Sequence, residues 1–285
     1  MDDTRFLIIG SHGQLGRALA KRWPGAAAVD RDELDIGDAQ AVEAYDWSGV
    51  KVVLNAAAYT NVDGAETPEG RLDAWRVNAT AVANLARAAV AHDLVLVHVS
   101  TDYVFDGKRA PHSETEGFAP LGVYGQSKAA GDAVVSVVPK HYILRTSWVI
   151  GDGANFVRTM MNLAAKNISP KVVGDQIGRL TFTNVLVDAM ELLLKTGAAY
   201  GTYNVSNDGD SASWAEITRA IFAALGRKEL TVTDITTAEY FKDRPQAAPR
   251  PLHSELDLAK IKAAGCKPAD WRAELKKYVA QEEAK

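Results

Sequence analysis

Cysteine is nearly missing from this sequence: Cys266 is the only one in 285 residues. One thiol excludes an intrachain disulfide, and it excludes a zinc-type thiolate cluster as well. Long apolar runs are also lacking. The first, Phe6-Leu7-Ile8-Ile9, directly follows Met1-Asp2-Asp3-Thr4-Arg5 and is too short for the core of a signal peptide. No stretch reaches the ~18 apolar residues that a membrane span needs. An excess of charge is missing too, since 32 Lys and Arg against 36 Asp and Glu leave a net charge of -4. Nothing therefore draws the whole molecule toward nucleic acid or an anionic membrane. The expectation is a soluble cytoplasmic protein with neither kind of partner. Any anionic ligand would have to be met by a few local arginines, lysines or backbone N–H groups.

What is present is ordinary for a globular chain, with 47% hydrophobic and 24% charged residues. Its order is more telling. Val/Ile/Leu-rich runs at 5–10, 26–30, 51–54, 94–100 and 141–146 show little polar alternation, as in parallel strands buried on both faces. Between them, helical patterns occupy 14–22, 38–46, 67–91 and 123–137. This alternation predicts right-handed crossovers and an α/β, Rossmann-type doubly wound parallel sheet. After about residue 150 the pattern loosens. Helices are expected near 154–166, 184–196 and 213–224, strands at 171–173 and 201–205, and an extended Pro-rich loop from Arg244 to Pro251. The expected division is a dinucleotide-binding domain over 1–150, with return segments near 181–206. A smaller C-terminal substrate-binding lobe takes up most of 151–285.

Gly10-Ser11-His12-Gly13-Gln14-Leu15-Gly16 directly follows the first strand and opens a helix. Small residues there permit a tight turn, let the backbone approach a pyrophosphate, and aim helix N–H groups at its oxygens. Gly10, Gly13 and Gly16 are accordingly cofactor-binding candidates. Asp30 ends the second strand, where a carboxylate can hold adenosine ribose hydroxyls. Arg31 follows and could offset the repulsion of a 2′-phosphate, so NADH and NADPH both stay open. Asn55-Ala56-Ala57-Ala58 ends the third strand, where small residues let a dinucleotide lie across the sheet edge.

The sharpest signal is Tyr124-Gly125-Gln126-Ser127-Lys128. Residues four apart share one helix face, about 6 Å apart along the axis. A phenol and an ammonium so placed suit carbonyl reduction. The phenol donates a proton to the alkoxide that forms as hydride arrives, and the lysine charge is expected to lower a tyrosine pKa that starts near ~10. The same lysine can bond the nicotinamide ribose. Val99-Ser100-Thr101-Asp102-Tyr103 ends the fourth strand at the ligand-binding edge, where Thr101 could hold the substrate carbonyl.

Those motifs, in that order, resemble the extended short-chain dehydrogenase/reductases, and among them the dTDP-4-dehydrorhamnose reductase family. The resemblance covers nearly the whole chain. It runs through Gly13-Gln14-Leu15-Gly16, the segment from Asn55 to Asp63, Ser100 to Gly107, Tyr124 to Lys128, and Arg145-Thr146-Ser147-Trp148-Val149. Asn155-Phe156-Val157, Asp175-Gln176-Ile177-Gly178 and Arg250-Pro251 extend it into the second half. It implies a catalytic triad of Thr101, Tyr124 and Lys128. It implies a cofactor site, for NADPH or NADH, lined also by Gln14, Leu15, Asp30, Asp35, Ile36, Ala57, Ala58, Tyr59, Thr60 and Val99. Thr101, Asp102, Trp148 and Asn155 would meet a dTDP-sugar, with Arg179 and Arg250 at its diphosphate. The implied reaction is hydride transfer to the C4 ketone of a dTDP-4-keto-6-deoxysugar such as dTDP-4-dehydro-L-rhamnose.

Three positions depart from the family pattern. Leu180 replaces a proline and His253 an asparagine, both on the presumed substrate side. Ala18 stands where some relatives use a glutamate to bind Mg²⁺. Neither that metal nor the dimer built around it is carried over, and the expectation is a monomer or weak homodimer with no metal. Three other readings compete. The first is a nucleotide-sugar dehydratase or epimerase of the same fold; dehydratases carry Thr-Asp-Glu for an elimination, and here Tyr103 takes the place of the glutamate. Another nucleotide-sugar 4-ketoreductase is the second alternative. A non-catalytic regulatory subunit of the methionine adenosyltransferase type would share the fold without needing Tyr124 and Lys128.

Overall fold

The computed structural model describes residues 2–285. Strand β1 (Phe6–Ile9) leads through the glycine loop into helix α1 (Gln14–Arg22), followed by β2 (Ala27–Val29), α2 (Ala39–Ala44) and β3 (Val52–Asn55). Helix α3 (Pro68–Trp75) passes through a π-helical turn at Arg76–Thr80 into α4 (Ala81–Ala91). Strand β4 (Val95–Thr101), helix α5 (Val123–Val135) and strand β5 (His141–Thr146) complete the regular alternation. Then come β6 (Val149–Ile150), α6 (Phe156–Ala165), β7 (Lys171–Val173), β8 (Ile177–Gly178), β9 (Thr181–Phe182) and α7 (Thr183–Thr196). The chain closes with β10 (Gly201–Asn204), β11 (Ala212–Ser213), α8 (Trp214–Ala224), β12 (Thr233–Ile235), α9 (Thr237–Phe241), α10 (Ala259–Ala263) and α11 (Trp271–Glu283).

The main sheet runs β10-β5-β4-β3-β1-β2, and every neighbouring pair in it is parallel. Strand order reverses at β1, which pairs with β2 on one side and β3 on the other. In such sheets the crevice beyond the carboxyl ends of the strands at that point takes ligands. The lack of polar alternation in the strands now has its reason. Phe6 and Ile8 enter one core cluster with α1 and α7, while Leu7 and Ile9 enter another with α2, α4 and α5. With both faces covered, both phases of each strand must be apolar. A third cluster lies off the sheet, built by α6, α8 and α11 around Trp271.

The region read as one helix over 67–91 is interrupted. At the π-helical turn Asn78 is turned inward and is 1% exposed, and its side chain bonds groups outside the helix. Helix α5 passes close by, so that a Cβ at Gly131 would stand 2.3 Å from the Asn78 carbonyl oxygen. The pairs β6–β9, β8–β11 and β7–β12 supply strands that the sequence reading lacks, apart from β7 itself. Two or three residues are too few to set a period. Among the described residues no helix is long and apolar enough to cross a membrane.

Candidate active site

Backbone contact shapes the glycine loop. Gly10 has φ +78°, and a Cβ there would meet the Ala57 nitrogen at 2.7 Å. A Cβ on Gly16 would lie 2.0 Å from the Gly10 carbonyl oxygen. Loop, helix start and the end of β3 are thus drawn together with no room for side chains. Gly13 precedes α1 without a side-chain cap, which leaves the first N–H groups of the helix to an anion.

A cleft of about 370 Å³ opens here, lined by Gly10, Gly13, Asp30, Asp35, Ile36, Ala57 and Ala58 among others. Asp30 Oδ2 accepts the His12 N–H at 2.9 Å and Oδ1 accepts that of Arg31 at 2.8 Å, tying the loop to the end of β2. Partial burial acts to raise its pKa, but these bonds outweigh it and hold the carboxyl below the usual range. Asp35 behaves alike: against partial burial, the Arg76 guanidinium and the Gly37 N–H keep its carboxyl low. A tight small-residue cradle, exposed helix N–H groups and an acid at the end of β2 fit a dinucleotide.

The second half of the site is the corner between β4 and α5. A Cβ at Gly125 would stand 2.2 Å from the Tyr103 carbonyl oxygen, so the helix start rests directly on the chain leaving β4. That approach brings Tyr124 to the Thr101 hydroxyl. Burial pushes the Tyr124 phenol up to about 12, only partly opposed by its hydrogen bond with Thr101. This corrects the expectation that Lys128 lowers it, because desolvation dominates and Lys128 turns elsewhere. Its Nζ donates to the Val99 carbonyl at 2.7 Å and lies 3.5 Å from His98 Nε2. Lys128 is 2% exposed, and burial brings its pKa down to about 8. Asp102 adjoins Thr101, which donates to its Oδ1 at 3.1 Å, and the Ser254 hydroxyl also acts on this carboxyl. Burial lifts this carboxyl to about 6.

Other expected residues stand differently. The Gln14 side chain accepts from the Gly151 N–H at 2.9 Å, away from the cleft, and the Leu15 side chain is in the core. The Tyr59 ring packs with Ala65, Ala74 and Val123, while its backbone is held by Asn78 at 2.9 and 3.1 Å. Thr60 is exposed and does not line the cleft, and Val99 contributes through its carbonyl. Trp148, at φ +48°, stacks on Trp214 with ring centroids 3.7 Å apart, as a member of the third core cluster.

Three residues expected at the substrate have partners within the chain. Asn155 caps α6 by accepting from Arg158 N at 3.0 Å, and its amide nitrogen bonds Gly151, Gly153 and Tyr278. Arg179 is largely buried, bonded to the Leu256 carbonyl and 3.9 Å from Asp208. Arg250 donates to Asp63 Oδ1 at 2.7 Å and to the Ala248 carbonyl at 3.1 Å. Of the family departures, Leu180 is fully buried in the third cluster, which makes it a matter of packing, and His253 pairs with Glu255 at 3.4 Å.

Sequence reasoning missed Asn78, which joins the Tyr59 backbone to Ser127 Oγ of α5 at 3.0 Å. A polar residue at the buried phase of an otherwise apolar helix was the available signal. Arg76, which lines the cleft opposite Asp35, left no comparable mark.

Comparison with known proteins agrees with this geometry. The family model described as the RmlD substrate binding domain matches residues 4–284. A dTDP-4-dehydrorhamnose reductase of Aggregatibacter actinomycetemcomitans is 42% identical, over 98% of this chain and 100% of that protein. A crystal structure of a dTDP-4-dehydrorhamnose reductase from Clostridium acetobutylicum superposes with a TM-score of 0.90 at 35% identity, covering 98% of this chain and 99% of the other. One from Bacillus anthracis, in complex with NADP, gives 0.88 at 35% identity, covering 97% and 98%.

Proposed function

This chain belongs to the dTDP-4-dehydrorhamnose reductase family, and from that premise we propose that it reduces the C4 ketone of dTDP-4-dehydro-L-rhamnose to give dTDP-L-rhamnose. That product is a precursor for cell-surface polysaccharide. The observation that carries the reading is the β4–α5 corner, where a buried, protonated phenol meets a threonine hydroxyl at the end of β4, the strand that pairs with β3, whose own end lines the cleft.

The residues for the cofactor are Gly10, Gly13 and Gly16 with the N–H groups that open α1, Asp30 and Asp35 at the adenosine end, and Ala57 and Ala58 along the sheet edge. When bound, NADPH or NADH supplies the hydride. Thr101 swings its single hydroxyl proton from Asp102 Oδ1 to the substrate carbonyl and turns that oxygen toward Tyr124. Tyr124 gives its proton to that oxygen as negative charge develops there. A pKa of about 12 suits this direction, because the phenol stays protonated at any working pH. Lys128, at about 8, supplies a nearby positive charge and a donor for the nicotinamide ribose. Asp102, next to Thr101 at the end of β4, is read as meeting the sugar from beside the carbonyl-binding hydroxyl.

We read residues 1–150, with the return through α7 and β10, as the dinucleotide-binding domain and the remainder mainly as a substrate-binding lobe. We also read the enzyme as cytoplasmic, and as a monomer or weak homodimer, since Ala18 provides no metal ligand. The test is Tyr124→Phe, which removes one oxygen and keeps the ring. Turnover is expected to fall by about 10²–10⁴-fold, with cofactor affinity within about twofold of wild type by fluorescence titration. Turnover near the wild-type rate would contradict the assignment.

A further inference from the structure

The layer between α5 and the sheet buries four ionisable side chains: His98 on β4, Lys128 and Asp132 on α5, and Arg145 on β5, exposed by 0%, 2%, 0% and 4%. The proposed mechanism uses only Lys128. Lys128 and Asp132 are four residues apart on one helix face, the spacing at which such groups ordinarily pair. Here they do not. Among the described residues no ion pair within 4.0 Å joins them. Asp132 Oδ2 instead accepts from Arg145 Nε at 3.0 Å, and Lys128 Nζ donates to the Val99 carbonyl at 2.7 Å. The imidazole edge of His98 faces both partners. Its Nε2 is 3.5 Å from Lys128 Nζ and 4.0 Å from Asp132 Oδ1, an oxygen without a hydrogen-bond partner.

The other ring nitrogen determines which tautomer faces them. Asn55 Oδ1 accepts the Ala57 N–H at 3.1 Å, so its amide nitrogen is the atom that donates to His98 Nδ1, also at 3.1 Å. Nδ1 is therefore an acceptor and the proton is on Nε2. Complete burial and the Lys128 charge keep the imidazole pKa well below 6.5, so the ring stays neutral. A neutral ring with Nε2–H points a donor toward Asp132 Oδ1 from 4.0 Å, beyond hydrogen-bond distance, and offers no lone pair to the ammonium.

We propose that His98 is a positioning residue for Lys128: its Nε2–H is directed at the free oxygen of Asp132, which would otherwise capture the ammonium, and leaves Lys128 on the Val99 carbonyl near the end of β4. The inference rests on Lys128 acting as proposed above. The ionisable groups around Lys128 are His98 from β4, Tyr124 and Asp132 from its own helix, Arg145 from β5, and Asp102 beyond the end of β4.

The test compares His98→Phe, which keeps ring volume and removes the N–H, with His98→Gln, which returns an N–H near the Nε2 position. In the wild type kcat/KM should fall as pH rises through about 8, as Lys128 loses its proton. In His98→Phe the lysine pairs with Asp132, the alkaline limb moves up by about one pH unit, a tenfold change in proton affinity, and KM for NADPH rises about tenfold. His98→Gln keeps the wild-type limb, and adding Asp132→Asn to His98→Phe moves the limb back down. A residue with a merely structural role would lower activity without moving the limb, and an unmoved limb in His98→Phe overturns the proposal. If the Phe variant folds poorly, His98→Met, which also lacks the N–H, must show the same shift. Loss of turnover in Tyr124→Phe together with an unmoved limb would refute only the role of His98. Full turnover in Tyr124→Phe would refute the reductase reading itself.

Discussion

At the scale of single residues, burial sets the chemistry of the corner more than neighbouring charge does. Asp102 shows this most simply. Its carboxyl is 2% exposed and pushed up from 3.8 to about 6 by desolvation. Because the folded value lies above the unfolded one, the protonated form favours the fold. That contribution is complete below about pH 4 and is lost as pH rises through about 6. Asp102→Asn should therefore gain on the wild type by about 2–3 kcal/mol between pH 4 and pH 7 in urea denaturation, while losing activity. Equal stability differences at the two pH values would show that no such buried charge exists. The same effect explains why the sequence misled on Tyr124. Spacing reveals that Tyr124 and Lys128 share a helix face, but not that desolvation of the phenol outweighs the lysine or that the Val99 carbonyl holds the ammonium.

At the scale of elements, the motifs were legible wherever they depended on backbone. Gly10 and Gly16 occupy sites where a side chain would strike main-chain atoms, and such atoms cannot yield as a flexible side chain can. Gly16→Ala is expected to cost about 1–3 kcal/mol and to weaken cofactor binding by more than tenfold, measured by urea denaturation and by titration with NADPH. Retained stability with a normal dissociation constant would mean that the loop and helix are not in such contact. Features depending on side-chain partners from distant segments were not legible. Asn155 and Arg179 carry family motifs, yet one caps α6 and the other is bonded to the Leu256 carbonyl. The π-helical turn at Arg76–Thr80 was hidden because its periodicity differs from that of an α-helix by one residue in a turn.

At the scale of the whole molecule, the parallel sheet followed from runs apolar in both phases, and its reversal at β1 follows from the pairing of that strand with both β2 and β3. The lobe was harder to read because its strands are two or three residues long and its core is assembled from α6, α8 and α11, far apart in sequence. These parts make sense together only if a hydride donor in the cleft and a ketone at the corner meet across the end of β4. The most direct measurement uses NADPH carrying deuterium at nicotinamide C4 and dTDP-4-dehydro-L-rhamnose, with the product read by NMR. The account predicts dTDP-L-rhamnose with deuterium on sugar C4, formed by the wild type and nearly absent with Tyr124→Phe. Cofactor binding without deuterium on the sugar would contradict it.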